Sequence, residues 1–204
     1  MTGNRSTPQI LLFTAKLTAI LFFSLAVAFG IFWLLSPKTN ALFQNSDFEN
    51  GDLTNWQSDG EAFSRQPTLG DNPLKRGRTE PTQFQGNYWV GTYENRPNAD
   101  SPEGAIQGDP IIGRLTSTSF IIQKSKLSFL AGAGTGTADT SVSLVVNGQT
   151  VLTHVPNATL LNAETLTPVV WDVAPWIKQK AHIVIVDQAT GAWGHINVDD
   201  FHYS

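Results

Sequence analysis

Carboxylates, a histidine and a tryptophan gather near the C-terminal end of this chain, in the run Asp187-Gln188-Ala189-Thr190-Gly191-Ala192-Trp193-Gly194-His195-Ile196-Asn197-Val198-Asp199-Asp200-Phe201. Gly191 and Gly194 permit a tight loop that holds Trp193 at a surface. Past that loop, Ile196 and Val198 alternate with His195, Asn197 and Asp199, the pattern of a strand with one apolar and one polar face. An aromatic ring beside polar groups suits sugar recognition. The ring stacks on the C–H side of a pyranose or furanose, while carboxylate, guanidinium and imidazole groups hydrogen-bond its hydroxyls. The residues placed to do this with Trp193 are Glu94, Arg96, Asp187 and His195. Carboxylates at the far end of the same strand suit a cation. Asp200 shares the predicted face of Ile196 and Val198, so its burial needs compensation. If the first and last strands of the domain pair, Glu49 meets Asp200, and two carboxylates with backbone carbonyls make the hard oxygen cage that calcium prefers.

Several chemistries are excluded. The chain has no cysteine, so it has no disulfide, thiolate nucleophile or thiolate metal site. It has no Gly-x-Ser-x-Gly elbow, His-Glu-x-x-His helix or EF-hand loop. The glycines of Gly132-Ala133-Gly134-Thr135-Gly136 lack the Lys-Ser/Thr that ends a phosphate-binding loop and read as a strand exit. Asp199 and Asp200 point to opposite faces of a strand and cannot form an opposed glycosidase pair. A small glycoside hydrolase would have to use Glu94 with Asp187 or Asp199.

The elements that position these residues are strands. Asn147-Gly148 between β-rich runs over 141–152 is a hairpin signal, because both residues tolerate the positive φ of a type I′ turn. Further strands are expected at Phe43–Phe48, Tyr88–Tyr93, Arg114–Ile121, Lys126–Ala131, Ala181–Val186 and His195–Phe201, with one capped helical turn over Asp172–Ile177. Two long polar loops intervene, Arg65–Gln83 and Glu94–Gly113. The Lys75, Arg76 and Arg78 cluster in the first of these reads as a solvated loop. Many short strands with Gly- and Pro-rich connections predict an all-β, jelly-roll-like β-sandwich over 43–204.

One N-terminal transmembrane helix is expected before it. Residues 17–35 carry no charge, and as a helix they would span about 28 Å, close to a bilayer's hydrocarbon core. Residues 1–16 form a short cytoplasmic N-terminus and 36–42 a linker. Arg5 and Lys16 precede the apolar run, which favours an inside N-terminus and an extracytoplasmic C-terminal domain, periplasmic or at the cell surface. The run is longer than a signal-peptide core and is read as an uncleaved signal anchor; cleavage would make the domain secreted. The remainder carries 10 basic and all 17 acidic residues of the chain, a net of −7. A domain this acidic is a poor nucleic-acid binder.

The run Asn45-Ser46-Asp47-Phe48-Glu49-Asn50-Gly51-Asp52-Leu53-Thr54-Asn55-Trp56 resembles the opening strand of many β-sandwich carbohydrate-binding modules. With Asn87–Glu94, Gly113–Ser117, Leu127–Gly132, Val142–Gly148, Trp171-Asp172-Val173 and Ile183–Asp187 leading into Trp193–Asp199, the chain resembles the fructan-binding modules appended to levanases and related glycoside hydrolases of the invertase type. The resemblance covers nearly all of 43–203. It departs at 157–164, where those modules are glycine-rich and basic. It implies a noncatalytic jelly roll that recognises β-fructosides with carboxylates, an arginine and an aromatic. By position Glu94, Asp187 and Trp193 match those motifs, with Arg96 as the nearby arginine. The expected function is a membrane-tethered, noncatalytic domain that binds fructan or another polysaccharide. The alternative is a structural β-sandwich that binds a protein partner.

Overall fold

In the computed structural model, residues 40–134, 138–156 and 164–204 are described. The expected membrane span at 17–35 lies outside them, and among the described residues no helix is long and apolar enough to cross a membrane.

The described residues are all-β apart from two short helical turns. The strands are β1 (Trp56–Gly60), β2 (Thr68–Leu69), β3 (Tyr88–Gly91), β4 (Gly113–Ser117), β5 (Phe120–Ile121), β6 (Lys126–Ala133), β7 (Thr140–Val146), β8 (Gln149–His154), β9 (Thr167–Asp172), β10 (Lys180–Asp187) and β11 (Ile196–Tyr203). The turns are α1 (Asn72–Lys75) and a 3-10 turn at Ala174–Trp176. One sheet runs β1-β4-β10-β7-β8, with β5 also on β10; the other runs β2-β3-β11-β6-β9. All pairings are antiparallel. The β7–β8 hairpin turns at Asn147 (φ 50°) and Gly148 (φ 82°), as the Asn-Gly signal requires.

The two sheets enclose one apolar core. Leu115, Val142, Leu144, Ile183 and Ile185 come from the first sheet; Val90, Leu127, Phe129, Ile196, Val198 and Phe201 come from the second. Phe129 is its hub, stacked on Phe201 at 5.0 Å and edge-on to Trp171 at 4.7 Å.

Two expectations change. Residues 43–48 are turns, not a strand. Asn45 stands at φ 63° and Phe48 at φ 60°, and the Asn45 amide donates to the carbonyls of Asp52 (2.9 Å) and Thr54 (3.1 Å). Side chains that satisfy local backbone groups compete with a ladder, and here they win. The ladder begins only at Trp56. Second, the alternation of β11 breaks. The register with β6 shifts between Asp199 and His202, and Asp200 adopts φ 53°. The bulge takes Asp200 off the Ile196–Val198 face and gives that face to Phe201 and Tyr203. The polar face of β11 is itself covered. His195, Asn197 and Asp199 are 2%, 0% and 0% exposed, because the long loops lie across that side of the sheet. Gly132 of β6 makes close approach feasible: a Cβ there would stand 2.8 Å from the Thr165 carbonyl oxygen.

Phe129→Ala should cost about 3–5 kcal/mol, read as a lowered denaturant midpoint, and Phe129→Leu clearly less. Equal losses would mean that the aromatic stack does not anchor the core.

Candidate functional site

The site lies where the loop layer meets the polar end of β11. The loop helix α1 is capped by Asp71, whose carboxylate accepts the Leu74 N–H at 3.4 Å and also the Thr82 N–H and hydroxyl at 3.0 and 2.8 Å. Asn72 is fully buried. Its amide donates to Glu94 Oε2 at 2.6 Å and to the Ala105 carbonyl at 2.8 Å, and its oxygen accepts the Gly104 N–H at 2.7 Å. One side chain thus joins the two long loops and fixes Glu94 between them.

α1 ends at Arg76, and Arg76 organises the charged wall of the site. Its Nη1 donates to Glu94 Oε1 at 2.5 Å and its Nη2 to Glu164 Oε1 at 2.5 Å, while its guanidinium lies 5.0 Å above the Tyr93 ring. Glu164 continues the chain of charge. Its Oε2 stands 3.5 Å from His195 Nε2, an ion-pair separation without hydrogen-bond geometry, and accepts the Asn197 amide at 3.3 Å. On the other ring nitrogen, His195 Nδ1 pairs with Asp109 Oδ1 at 2.9 Å. Asp109 Oδ2 accepts the Trp193 N–H at 2.9 Å. Acids and bases therefore alternate from Glu94 through Arg76, Glu164 and His195 to Asp109.

Around this chain opens a concavity of about 180 Å³, lined by Arg76, Arg78, Tyr93, Asp109, Glu164, Trp193 and His195. Trp193 is half-buried at φ 65°, with the Arg78 guanidinium 5.0 Å over its ring. Gly134 lets the tryptophan loop settle: a Cβ there would fall 2.0 Å from the Trp193 carbonyl oxygen.

Burial and charge set the protonation states. Burial would lower His195, but Asp109 and Glu164 hold it up at about 9. Burial would raise Glu164, but His195, Arg76 and Asn197 hold it down at about 2. Burial pushes Glu94 up to about 7 despite Arg76 and Asn72. It pushes Asp187 up to about 6, against the Thr92 hydroxyl and the Ala189 N–H.

The sequence expectations divide accordingly. Trp193 and His195 line the concavity. Glu94 lies behind it, reached through Arg76. Asp187 is buried near His195 but is not part of the lining. Arg96 is not part of it either: it donates to the Leu69 carbonyl at 2.8 Å and approaches Glu103 at 3.5 Å, a tie within the loop layer. The arginine of the site is Arg76, from the basic cluster that reads as solvated loop. Its legible signal was three cations grouped within an otherwise acidic domain. Asp109, Glu164 and Tyr93 were also missed, and nothing local to them marks their role.

Glu49 and Asp200 sit elsewhere. The Glu49 carboxylate accepts the Asn87 N–H at 2.9 and 3.0 Å and the Tyr88 N–H at 2.9 Å. Asp200 lies 3.2 Å from His202 Nδ1. Among the described residues no group of three or more His, Asp or Glu is arranged to hold a metal.

The fold and site define a two-sheet antiparallel β-sandwich with a charged, aromatic-flanked concavity over one sheet. No known protein-family profile matches the chain. A curated relative, provisionally named glycosyl hydrolase ecdE, from Aspergillus rugulosus, is 33% identical over 171 residues, 82% of this chain and 21% of that protein. The chain spans about a fifth of that relative's length. Among solved structures, TmCBM61 in complex with β-1,4-galactotriose is 14% identical with a TM-score of 0.48, covering 81% of this chain and 97% of that one. The K1 cleaved adhesin domain of Lys-gingipain from Porphyromonas gingivalis W83 is 13% identical at 0.46, covering 78% and 95%. The C-terminal extracellular domain of Mycobacterium tuberculosis EmbC is 13% identical at 0.44, covering 83% and 60%. These likenesses are slight, and the fold assignment rests on the strand pairing.

The charges of the site dictate how stability varies with pH. Groups held above their ordinary values lose stability as pH rises: Asp187 from 3.8 to about 6, Glu94 from 4.5 to about 7, His195 from 6.5 to about 9. Glu164, held down, contributes fully above 4.5 and loses its contribution as pH falls toward about 2. Melting should therefore be highest near pH 4.5 and fall toward pH 9 by at least about 4–8 °C, on the order of 2 kcal/mol; a flat profile would contradict these shifts. Arg76→Gln strands buried carboxylates and should cost about 3–5 kcal/mol at pH 8. The loss should be smaller at pH 5, where Glu94 takes up a proton; an equal loss at both pH values would show that Arg76 acts by packing alone.

Proposed function

We propose that this domain is a noncatalytic carbohydrate-binding module, held outside the cytoplasm by the apolar segment at 17–35. The observation that carries the reading is the composition of the concavity. Two aromatic rings, Tyr93 and Trp193, and five charged or ionisable side chains line a space without an aliphatic wall. Such a surface suits a ligand with hydroxyls all round and a C–H face to stack, and poorly suits an apolar cofactor. Arg76, Glu164, Asp109 and His195 are already tied to one another, so little ordering of these side chains opposes binding. The relative from Aspergillus rugulosus, named for glycoside hydrolysis, supports a carbohydrate context. Fructan is the ligand suggested by the resemblance of the motifs.

A second reading, a protein-interaction domain, draws on exposed apolar residues such as Val170 on β9, 58% exposed, and Ile121 on β5, 49% exposed. These are scattered single residues of the ordinary kind, and the polar concavity is the better candidate.

The test is a glycan array, levan included, probed with the full 204-residue chain. Binding to at least one glycan class is expected, with loss of roughly tenfold or more in affinity for Trp193→Ala at unchanged melting temperature. No hit on a broad array refutes the reading. The calcium expectation at Glu49 and Asp200 has its own measurement: with the amide clamp on Glu49 alone, a chelator leaves the melting temperature unchanged, and a fall of several degrees identifies a bound cation.

A further inference from the structure

Resting on the carbohydrate reading of this site, we infer that the sugar it recognises carries an anionic substituent, a carboxylate or a sulfate ester, held between the guanidinium of Arg78 and Nε2 of His195. Three cationic side chains, Arg76, Arg78 and His195, line the concavity against two carboxylates, Asp109 and Glu164. Both carboxylates are engaged within the wall. Glu164 receives Arg76 and Asn197 and has His195 Nε2 at 3.5 Å, and Asp109 receives His195 Nδ1 and the Trp193 N–H.

Two donors in the lining lack a hydrogen-bond acceptor. Nε2 of His195 is buried and makes no hydrogen bond; Glu164 Oε2 stands 3.5 Å away as an ion-pair neighbour, and the ring is fixed by the Asp109 contact on Nδ1. A buried donor that makes no hydrogen bond is costly, and a ligand acceptor closer than Glu164 would relieve that cost. Arg78 is the second. Among the described residues no carboxylate pairs with its guanidinium, which rests over Trp193. All 17 acidic residues of the chain lie within the described residues, so the rest of the chain holds no carboxylate for it. Stacking on the indole leaves the edge N–H groups of the guanidinium free, in the fork that matches carboxylate or sulfate oxygens. The domain is acidic overall, so this unmatched cation is a local exception to its surface.

The experiment is titration calorimetry of the full chain with matched pairs: oligogalacturonate against neutral galacto-oligosaccharide of the same length, sulfated against unsulfated galacto-oligosaccharide, and levan. The expected result is about tenfold or tighter binding of an acidic member over its neutral partner. That preference should fall toward unity in Arg78→Gln at unchanged melting temperature, and should weaken with added salt and above pH 9. The carboxylate and sulfate arms separate the two sources of the anion. Neutral sugars binding as tightly as acidic ones, or a preference that survives Arg78→Gln, overturns this inference while leaving carbohydrate binding intact. Binding of no saccharide in either series overturns both.

Discussion

Arg76 donates one arm of its guanidinium to Glu94 and the other to Glu164, and its side chain is only 16% exposed. Two carboxylates and a guanidinium do not leave water without compensation, so the surroundings must supply the remaining bonds. Asn72 provides one for Glu94 and also ties in Ala105 and Gly104. Asn197 and His195 stand on the far side of Glu164. Both long loops are needed to build this layer, which accounts for two segments too long and too polar to be mere connections. The cleft then stands open at a wall in which Arg76, Glu164, His195 and Asp109 are already paired. A buried ionic network is a weak argument for stability, and in this domain it is better understood as holding a polar surface in one shape.

The same network explains where the alternation in β11 goes. A strand that alternates His195, Asn197 and Asp199 with apolar residues reads as polar on one side. Here that side is roofed, and each polar group has a local purpose: His195 and Asn197 face Glu164, and Asp199 accepts the Gln85 N–H at 2.7 Å. Burial and the neighbouring Asp200 and Glu49 charges push the Asp199 carboxyl well up, against the Gln85 and Asp200 N–H bonds. The bulge at Asp200 then returns aromatic residues to the core where strict alternation would have placed a carboxylate.

Much of the sandwich was legible because its signals are local. The Asn147-Gly148 turn, the apolar run of β10 and the alternation of β7 depend on near neighbours in sequence. Trp193 and His195 were legible for the same reason, as an aromatic and an imidazole set off by glycines. Arg76, Glu164 and Asp109 were not. Arg76 and Glu164 are 88 residues apart, and His195 and Asp109 are 86, so their pairing exists only once the loops have folded over the sheet. Arg96 attracted attention by its nearness to Glu94 in sequence, yet its guanidinium turns to Leu69. Sequence proximity was a poor guide wherever the loop layer, not the strand register, decided position.

The arrangement of protons does not match a carboxylate-pair glycosidase. A glycosidase needs one carboxyl that is protonated near the working pH and a second that is ionised, both facing the substrate. Glu94 has the elevated acidity range expected of the first, at about 7. It is nevertheless fully buried, and both of its oxygens are occupied by Asn72 and Arg76. Glu164 does face the cleft, but at about 2 it carries no proton to give at neutral pH. Asp187 and Asp199 are buried and do not line the cleft. The carboxyl of suitable pKa therefore lies away from the cleft, and Glu164, which lines it, lacks a proton. Arg76 enforces this separation by standing between Glu94 and the cleft, and it leaves Glu164 as an ionised carboxylate in a wall that can hold a polar ligand.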